Sequence, residues 1–212
     1  MKVVSTNIGE PRFVSINDEQ QQTGIFKKPT NKPIYLCKDH VQGDEISNKQ
    51  VHGGEFKACY LFCADNYPYW KNLYPNLVWH YGMLGENVTI KGLDETKLYV
   101  GDIYKLGSAV VEITQPREPC ATLAAKIGSS EIIQQFIEHC KPGTYTRVLE
   151  TGYVTIGDTM TLLKKASYSI SIADFYRTLF EREKNQKYLE CIMLSDSIPL
   201  KKREQLKRFI NK

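Results

Sequence analysis

The chain has no run of the roughly eighteen apolar residues that a membrane-spanning helix requires. Met1 to Pro11 carries a single Lys and no apolar stretch long enough for a secretory signal. No two cysteines stand in a Cys-x-x-Cys pair, which removes the usual iron–sulfur and structural zinc patterns. The Gly spacing of a dinucleotide fingerprint is missing, as is the Lys-Ser/Thr ending of a phosphate-binding loop, so no site for NAD, flavin or a nucleoside triphosphate is marked. These absences lead to the expectation of a cytoplasmic protein without a membrane partner. Its six cysteines, Cys37, Cys59, Cys63, Cys120, Cys140 and Cys191, would stay reduced there. Cys59 and Cys63 are four apart in an apolar, strand-like stretch, where alternation puts both on one buried face.

At 212 residues, with 42% hydrophobic and 25% charged side chains, the chain can bury a sizeable core. The net charge of +4 is unevenly spread. Residues 165–212 hold 11 Lys and Arg against 6 Asp and Glu, whereas residues 1–164 hold 17 against 18. The grammar of the sequence changes at the same place. Up to Leu163 it consists of short β-branched and aromatic runs, among them Val3 to Ile8, Ala58 to Phe62, Asn87 to Ile90, Ala109 to Thr114 and Thr159 to Leu163. Helical stretches interrupt these runs at about Asp65 to Leu73 and Ser130 to His139, without the regular alternation of a doubly wound fold. Gly101-Asp102 and Gly157-Asp158 each read as a tight turn feeding a strand. After Lys165, Ser171 and Asp174 resemble a capping box, Gln186 to Leu194 fits a second helix, and Pro199 opens a third that runs to about Ile210. The expected architecture is a mainly β domain with decorating helices, a curled sheet or barrel over 1–164, followed by a small all-α three-helix extension over 165–212.

The segment with most chemistry is Gln115-Pro116-Arg117-Glu118-Pro119-Cys120, at the end of a predicted strand. Two prolines stiffen it into a ledge that holds a thiol near a guanidinium, and a thiolate serves both nucleophiles and soft metals. On residues alone, Cys120 reads equally as a functional thiol and as a buried one in a Pro-rich turn. His52-Gly53-Gly54 with Lys57 offers backbone amides and a cation to an anion, although His52 also suits a hydrogen-bonded turn. Asn87 and Arg147 are suited to polar contacts with a pterin or phosphate. Arg147 equally fits a strand-surface ion pair, and Glu86 a brace for its own loop.

Thr23 to Lys27, Gly43-Asp44, Val51 to Tyr60, Tyr67 with Trp70, Gly85-Glu86-Asn87, Gln115 to Cys120 and Gly143 to Asp158 together resemble, in order, the MOSC family. That family comprises the carboxyl-terminal domain of molybdenum cofactor sulfurases and related stand-alone bacterial proteins. The tail resembles the three-helix extension of one bacterial subgroup, implicated in reducing N-hydroxylated bases such as 6-hydroxylaminopurine. The resemblance implies a MOSC-type β-barrel and the molybdenum cofactor (molybdopterin), with no pyridoxal phosphate. It makes Cys120 the ligand to molybdenum and places Lys27, Gly53, Gly54, Lys57, Asn87, Arg117 and Arg147 around the cofactor. His52 and Glu86 are assigned to proton relay beside Cys120. Cys63 stands where relatives commonly have Pro, and Leu84 where an aromatic is common. The chemistry implied is reduction of a small N-hydroxylated substrate with electrons from a separate flavoprotein or ferredoxin-type donor. The alternative is a non-catalytic carrier of sulfur or cofactor on Cys120. Nucleic acid is not an expected partner, since +5 on one small segment is common, and a homodimer is left open.

Overall fold

The structure is a computed structural model that describes residues 1–16, 19–45, 53–167 and 169–210. Its main sheet has eight strands: β1 (Lys2–Gly9), β4 (Lys27–Thr30), β6 (Cys59–Cys63), β7 (Val88–Lys91), β8 (Ile103–Leu106), β9 (Ala109–Pro116), β10 (Thr144–Glu150) and β12 (Met160–Lys164). They lie in the order β12-β8-β9-β10-β6-β7-β1-β4, antiparallel throughout except for β6 with β7. The start of β1 returns to the far edge. Lys2 bridges Thr159, the Val3 amide donates to the Asp158 carbonyl at 2.8 Å, and the Met160 amide donates to the Met1 carbonyl at 3.0 Å. These bonds curl the sheet into a barrel and cover edges that would otherwise stay open. A separate hairpin joins β2 (Arg12–Ile16) to β3 (Glu19–Thr23), and β5 (Ile34–Leu36) pairs with β11 (Gly152–Val154).

Strand β6, Cys-Tyr-Leu-Phe-Cys, is buried on both faces. Cys59, Leu61 and Cys63 point into the barrel core, and Tyr60 and Phe62 point into a second, aromatic core. The period of two thus places one strand between two cores. The second core is closed by α1 (Tyr67–Leu73), α2 (Ala121–Ile127) and α3 (Glu131–His139), which pack Trp70, Leu123, Ile132 and Phe136 on it. Helices α1 and α3 fall where the sequence predicts them. Helix α2 was not anticipated: it is only seven residues long and carries too little apolar periodicity to read. Its stop signal, Gly128 in the left-handed region at φ 80°, was nevertheless present.

The expected turn roles of the Gly-Asp pairs hold. Gly101 and Gly157 have φ of 84° and 96°, and the Asp102 and Asp158 carboxylates accept from the amides of Ala166 at 2.9 Å and Thr155 at 2.8 Å. The extension is three helices, α4 (Ile172–Phe180), α5 (Gln186–Leu194) and α6 (Leu200–Lys207). Ser171 caps α4 by accepting from the Asp174 amide. Pro199 stands just outside α6 as its cap, and that helix stops short of Ile210. Ile172, Phe175, Leu189 and Ile192 continue the barrel core without a gap, so the change in grammar near residue 165 is a change of secondary structure over one shared core. Among the described residues, no helix is long and apolar enough to cross a membrane.

Gly143 enters β10 at φ 68°, where a Cβ would strike the Leu61 carbonyl oxygen and press on the Tyr60 and Phe62 rings. Gly143→Ala should therefore lower the unfolding free energy by about 2–4 kcal/mol, from left-handed strain plus overpacking. Urea unfolding measures it, and an unchanged midpoint would show that the strands can separate without loss.

Candidate functional site

The ladder between β9 and β10 ends at Pro116, opposite Thr144, and residues 117–120 follow with no regular structure. Pro116 and Pro119 have no N–H to give, so side chains must hold this ledge. Arg117 turns inward, 4% exposed, with its guanidinium 5.1 Å from the Phe136 ring centroid and 5.9 Å from that of Tyr60. Glu118 turns the other way and meets Lys202 at 2.7 Å. Cys120 is extended and half-buried, and its carbonyl accepts from the Leu123 and Ala124 amides at 3.0 and 3.2 Å as α2 begins.

Cys120 lines an open cleft together with Arg117, Lys57, Lys27, Asp44, Asn87, Tyr60 and Tyr145. Gln21, Gln22 and Thr23 of the β2–β3 hairpin form one wall, with Leu84, Gly85 and Thr122 on others. Lys57 is presented by a 3₁₀ turn, Glu55–Lys57, which Thr114 fixes by donating its hydroxyl to the Phe56 carbonyl at 2.7 Å. Burial lowers the pKa of the Lys57 ammonium; Glu118 and Cys120 partly restore it, and Lys202 and Lys201 lower it further. At Arg117, burial pulls the pKa down, but attraction from Cys120 and the surrounding tyrosines outweighs it, so the net shift is upward. Burial also pushes the Tyr145 hydroxyl up to about 12, against the opposing pull of Arg117. Burial thus weakens the hold of Lys57 on its proton, whereas the surroundings of Arg117 strengthen its hold.

Lys27 and Asn87 reach the cleft, each through a buried network. Asp44 accepts from Lys27, from the Asn87 side-chain amide at 2.8 Å and from the Gly9 amide at 2.7 Å. Asn87 also accepts from the Tyr60 amide at 3.2 Å, which ties the cleft floor to β6. Glu86 is fully buried beneath the site. One of its carboxylate oxygens accepts from the Tyr67 hydroxyl, the Gly82 amide and the Thr89 hydroxyl. Its carboxylate braces the Gly82 to Asn87 loop and does not line the cleft.

Arg147 is not brought to the cleft. It lies directly across the β9–β10 ladder from Glu112, and this register makes the two an ion pair, with Glu55 at 3.6 Å and the Phe56 ring 5.2 Å away. Gly53 and Gly54 are likewise absent from its lining; Gly54, at φ 94°, opens the turn that presents Lys57. His52 lies outside the described residues. Cys63 belongs to the barrel core, whereas Leu84 does form cleft wall. Sequence reasoning missed Asp44, Tyr60, Tyr145 and the hairpin glutamines as site residues. The Gly43-Asp44 pair was visible, but nothing local reveals that a carboxylate there receives Lys27 and Asn87.

Lys126 of α2 donates to the carbonyls of Ile25 at 2.8 Å and Gly82 at 3.3 Å, latching two cleft walls to the helix that Cys120 opens. Burial lowers its pKa to about 7, with Glu86 opposing the fall and Lys27 adding to it. An unfolded chain keeps this proton up to the ordinary value of 10.5, whereas the folded chain releases it near 7. Through this group the unfolding free energy rises with pH between those two values. Lys126→Met should flatten that part of the stability-against-pH curve in urea titrations across the window. Parallel curves for the two proteins would show that the folded state does not disfavour the ammonium.

The sequence pattern of the MOSC domain matches residues 48–161, a span that holds the ledge, Lys57 and the Gly82 to Asn87 loop. The Bacillus subtilis protein YflK is 33% identical over 191 residues, covering 90% of this chain and 86% of its own. A Gibberella moniliformis protein named as a reductase is 30% identical over 176 residues, covering 81% of this chain but 31% of that protein. The crystal structure of YiiM from Geobacillus stearothermophilus superposes with a TM-score of 0.82 at 28% identity over 99% of both chains. Ledge, barrel and extension agree with these matches: the chain belongs to the MOSC domain family, whose members are associated with the molybdenum cofactor.

Proposed function

We propose that this protein binds the molybdenum cofactor in the cleft, with Cys120 as the protein ligand to molybdenum, and reduces N-hydroxylated bases to amines. The observation that carries the reading is the pairing of a half-buried thiol, open to the cleft, with the buried cation of Arg117 on the same rigid ledge. The residues fit such a group. Arg117 Nη1 is a buried donor with no hydrogen-bond partner, and a charged donor in that state is suited to an anionic ligand. Among the described residues, no three His, Cys, Asp or Glu side chains converge to cage an ion, so a metal here would arrive with ligands of its own and take one more from the protein. Sulfur is a reasonable choice for a soft metal.

In this reading Cys120 holds the metal, and Lys57 and Arg117 face the negative charge of the cofactor. Lys27 is already neutralised by Asp44 and sets the shape of the wall more than its charge. When bound, the cofactor supplies two-electron reduction of the N–O bond. An N-hydroxylated base, two electrons and two protons give the amine and water. The electrons come from a separate flavoprotein or ferredoxin-type donor. Lys57, whose pKa burial lowers, is placed to release a proton at the cleft, and Gln21 and Gln22 present amides to the edge of a planar base. The reductase name of the Gibberella relative supports the oxidoreductase part of this reading.

The test is production in a host that makes the cofactor, with molybdenum and released pterin measured for wild type and Cys120→Ala. Wild type should carry both and the variant should be depleted of both. Wild-type protein empty of both, even after incubation with free cofactor, would sink the proposal. A loaded protein that no N-hydroxylated base can reoxidise from a reduced donor would instead be a carrier.

A further inference from the structure

Among the described residues, the ledge that carries Cys120 has no ladder partner beyond Pro116, yet it must hold its thiol at one place in the cleft. Of its own two charged side chains, Glu118 pairs with the three-helix extension, and Arg117 lies against the aromatic core that the extension helps to build. Glu118 meets Lys202 of α6 at 2.7 Å; the Lys202 side chain is 14% exposed and that of Glu118 37%, so the pair is sheltered from solvent at its lysine end. On the other side, Arg117 lies in the aromatic core that Tyr176 of α4 completes at 0% exposure. Among the described residues, the buried Tyr176 hydroxyl has no hydrogen-bond partner, and neither has Arg117 Nη1. Burial raises the pKa of that hydroxyl, and the positive charge of Arg117 opposes the rise. The extension is also pinned nearby: Ser197, between α5 and α6, donates to Glu112 at 3.0 Å on the strand that leads into the ledge.

We propose that Lys202 and Tyr176 are positioning residues for Cys120: the extension grips the ledge at Glu118 and Arg117 from opposite sides and sets where the thiol stands in the cleft. The three helices are then part of the site and not an appendage to it. The inference rests on the proposed role of Cys120 only for what the positioned thiol binds; that the ledge is held from the extension stands apart from it.

Two measurements separate these levels. Amide hydrogen exchange over residues 115–122 reads the grip directly, and exchange over 186–194 in α5 reports whether the extension itself stays folded. Lys202→Met and Tyr176→Phe should each speed exchange over 115–122 while 186–194 stays as in wild type, and Lys202→Arg should restore the slow rate. In protein loaded with cofactor, the same two variants should lose molybdenum and pterin about tenfold faster on dialysis, the size of effect seen when a partner that orients a metal ligand is removed. Lys202→Arg should retain them. Exchange over 115–122 that matches wild type in both variants would overturn the inference. So would acceleration of both segments together, or cofactor loss that Lys202→Arg does not rescue. If wild type takes up no molybdenum at all, the reading of Cys120 as a ligand falls, while the exchange result still decides whether the extension holds the ledge.

Discussion

Arg117 keeps a permanent positive charge 4% exposed between the rings of Tyr60 and Phe136, and a charge buried to that degree is costly unless something compensates it. Here the compensation is aromatic and polar: ring faces on two sides, tyrosine hydroxyls nearby and the Cys120 sulfur three residues along the chain. The rest of the site follows from that requirement. The aromatic core has to be closed by α1, α2, α3 and Tyr176 of the extension, because an open core would let water in but would also free the ledge. The guanidinium therefore sits where the barrel strand β6 and the decorating helix α3 meet.

The barrel makes this arrangement possible by giving β6 two interiors. Its odd positions fill the barrel and its even positions, Tyr60 and Phe62, build the floor of the aromatic core. The same strand is tied to the cleft wall by Asn87, which bonds the Tyr60 backbone in both directions and passes on to Asp44. A shift of β6 by one residue would exchange the two cores and dismantle the cleft.

The basic residues around the site differ in their partners and in whether they line the cleft. Lys27 is paired with Asp44, Arg147 with Glu112 and Lys202 with Glu118. Lys57, Arg117 and Cys120 line the cleft together, and among the described residues one guanidinium nitrogen of Arg117 has no hydrogen-bond partner. This division gives the site one thiol and two positive groups at short range, the set expected to meet a soft metal carried by an anionic cofactor. It also explains why basic residues that looked alike in the sequence have different places in the structure.

Local pattern was enough to read the strands β1, β6, β7, β9 and β12, the two buried cysteines of β6, the Gly-Asp turns, the three tail helices with the Ser171 cap, and the Pro-flanked ledge with Cys120. Each of these depends on periodicity, capping or proline within a few residues, and such preferences are written in the chain itself. Only the tertiary structure could show that Arg147 faces Glu112 across a ladder, that Asp44 gathers Lys27 and Asn87 from distant segments, or that Glu86 serves as a buried brace. The same is true of the Lys202–Glu118 pair and of the place of Tyr176 in the aromatic core. These pairings join residues far apart in sequence, and they are decided by strand register and by which buried charge needs a partner, neither of which leaves a local mark.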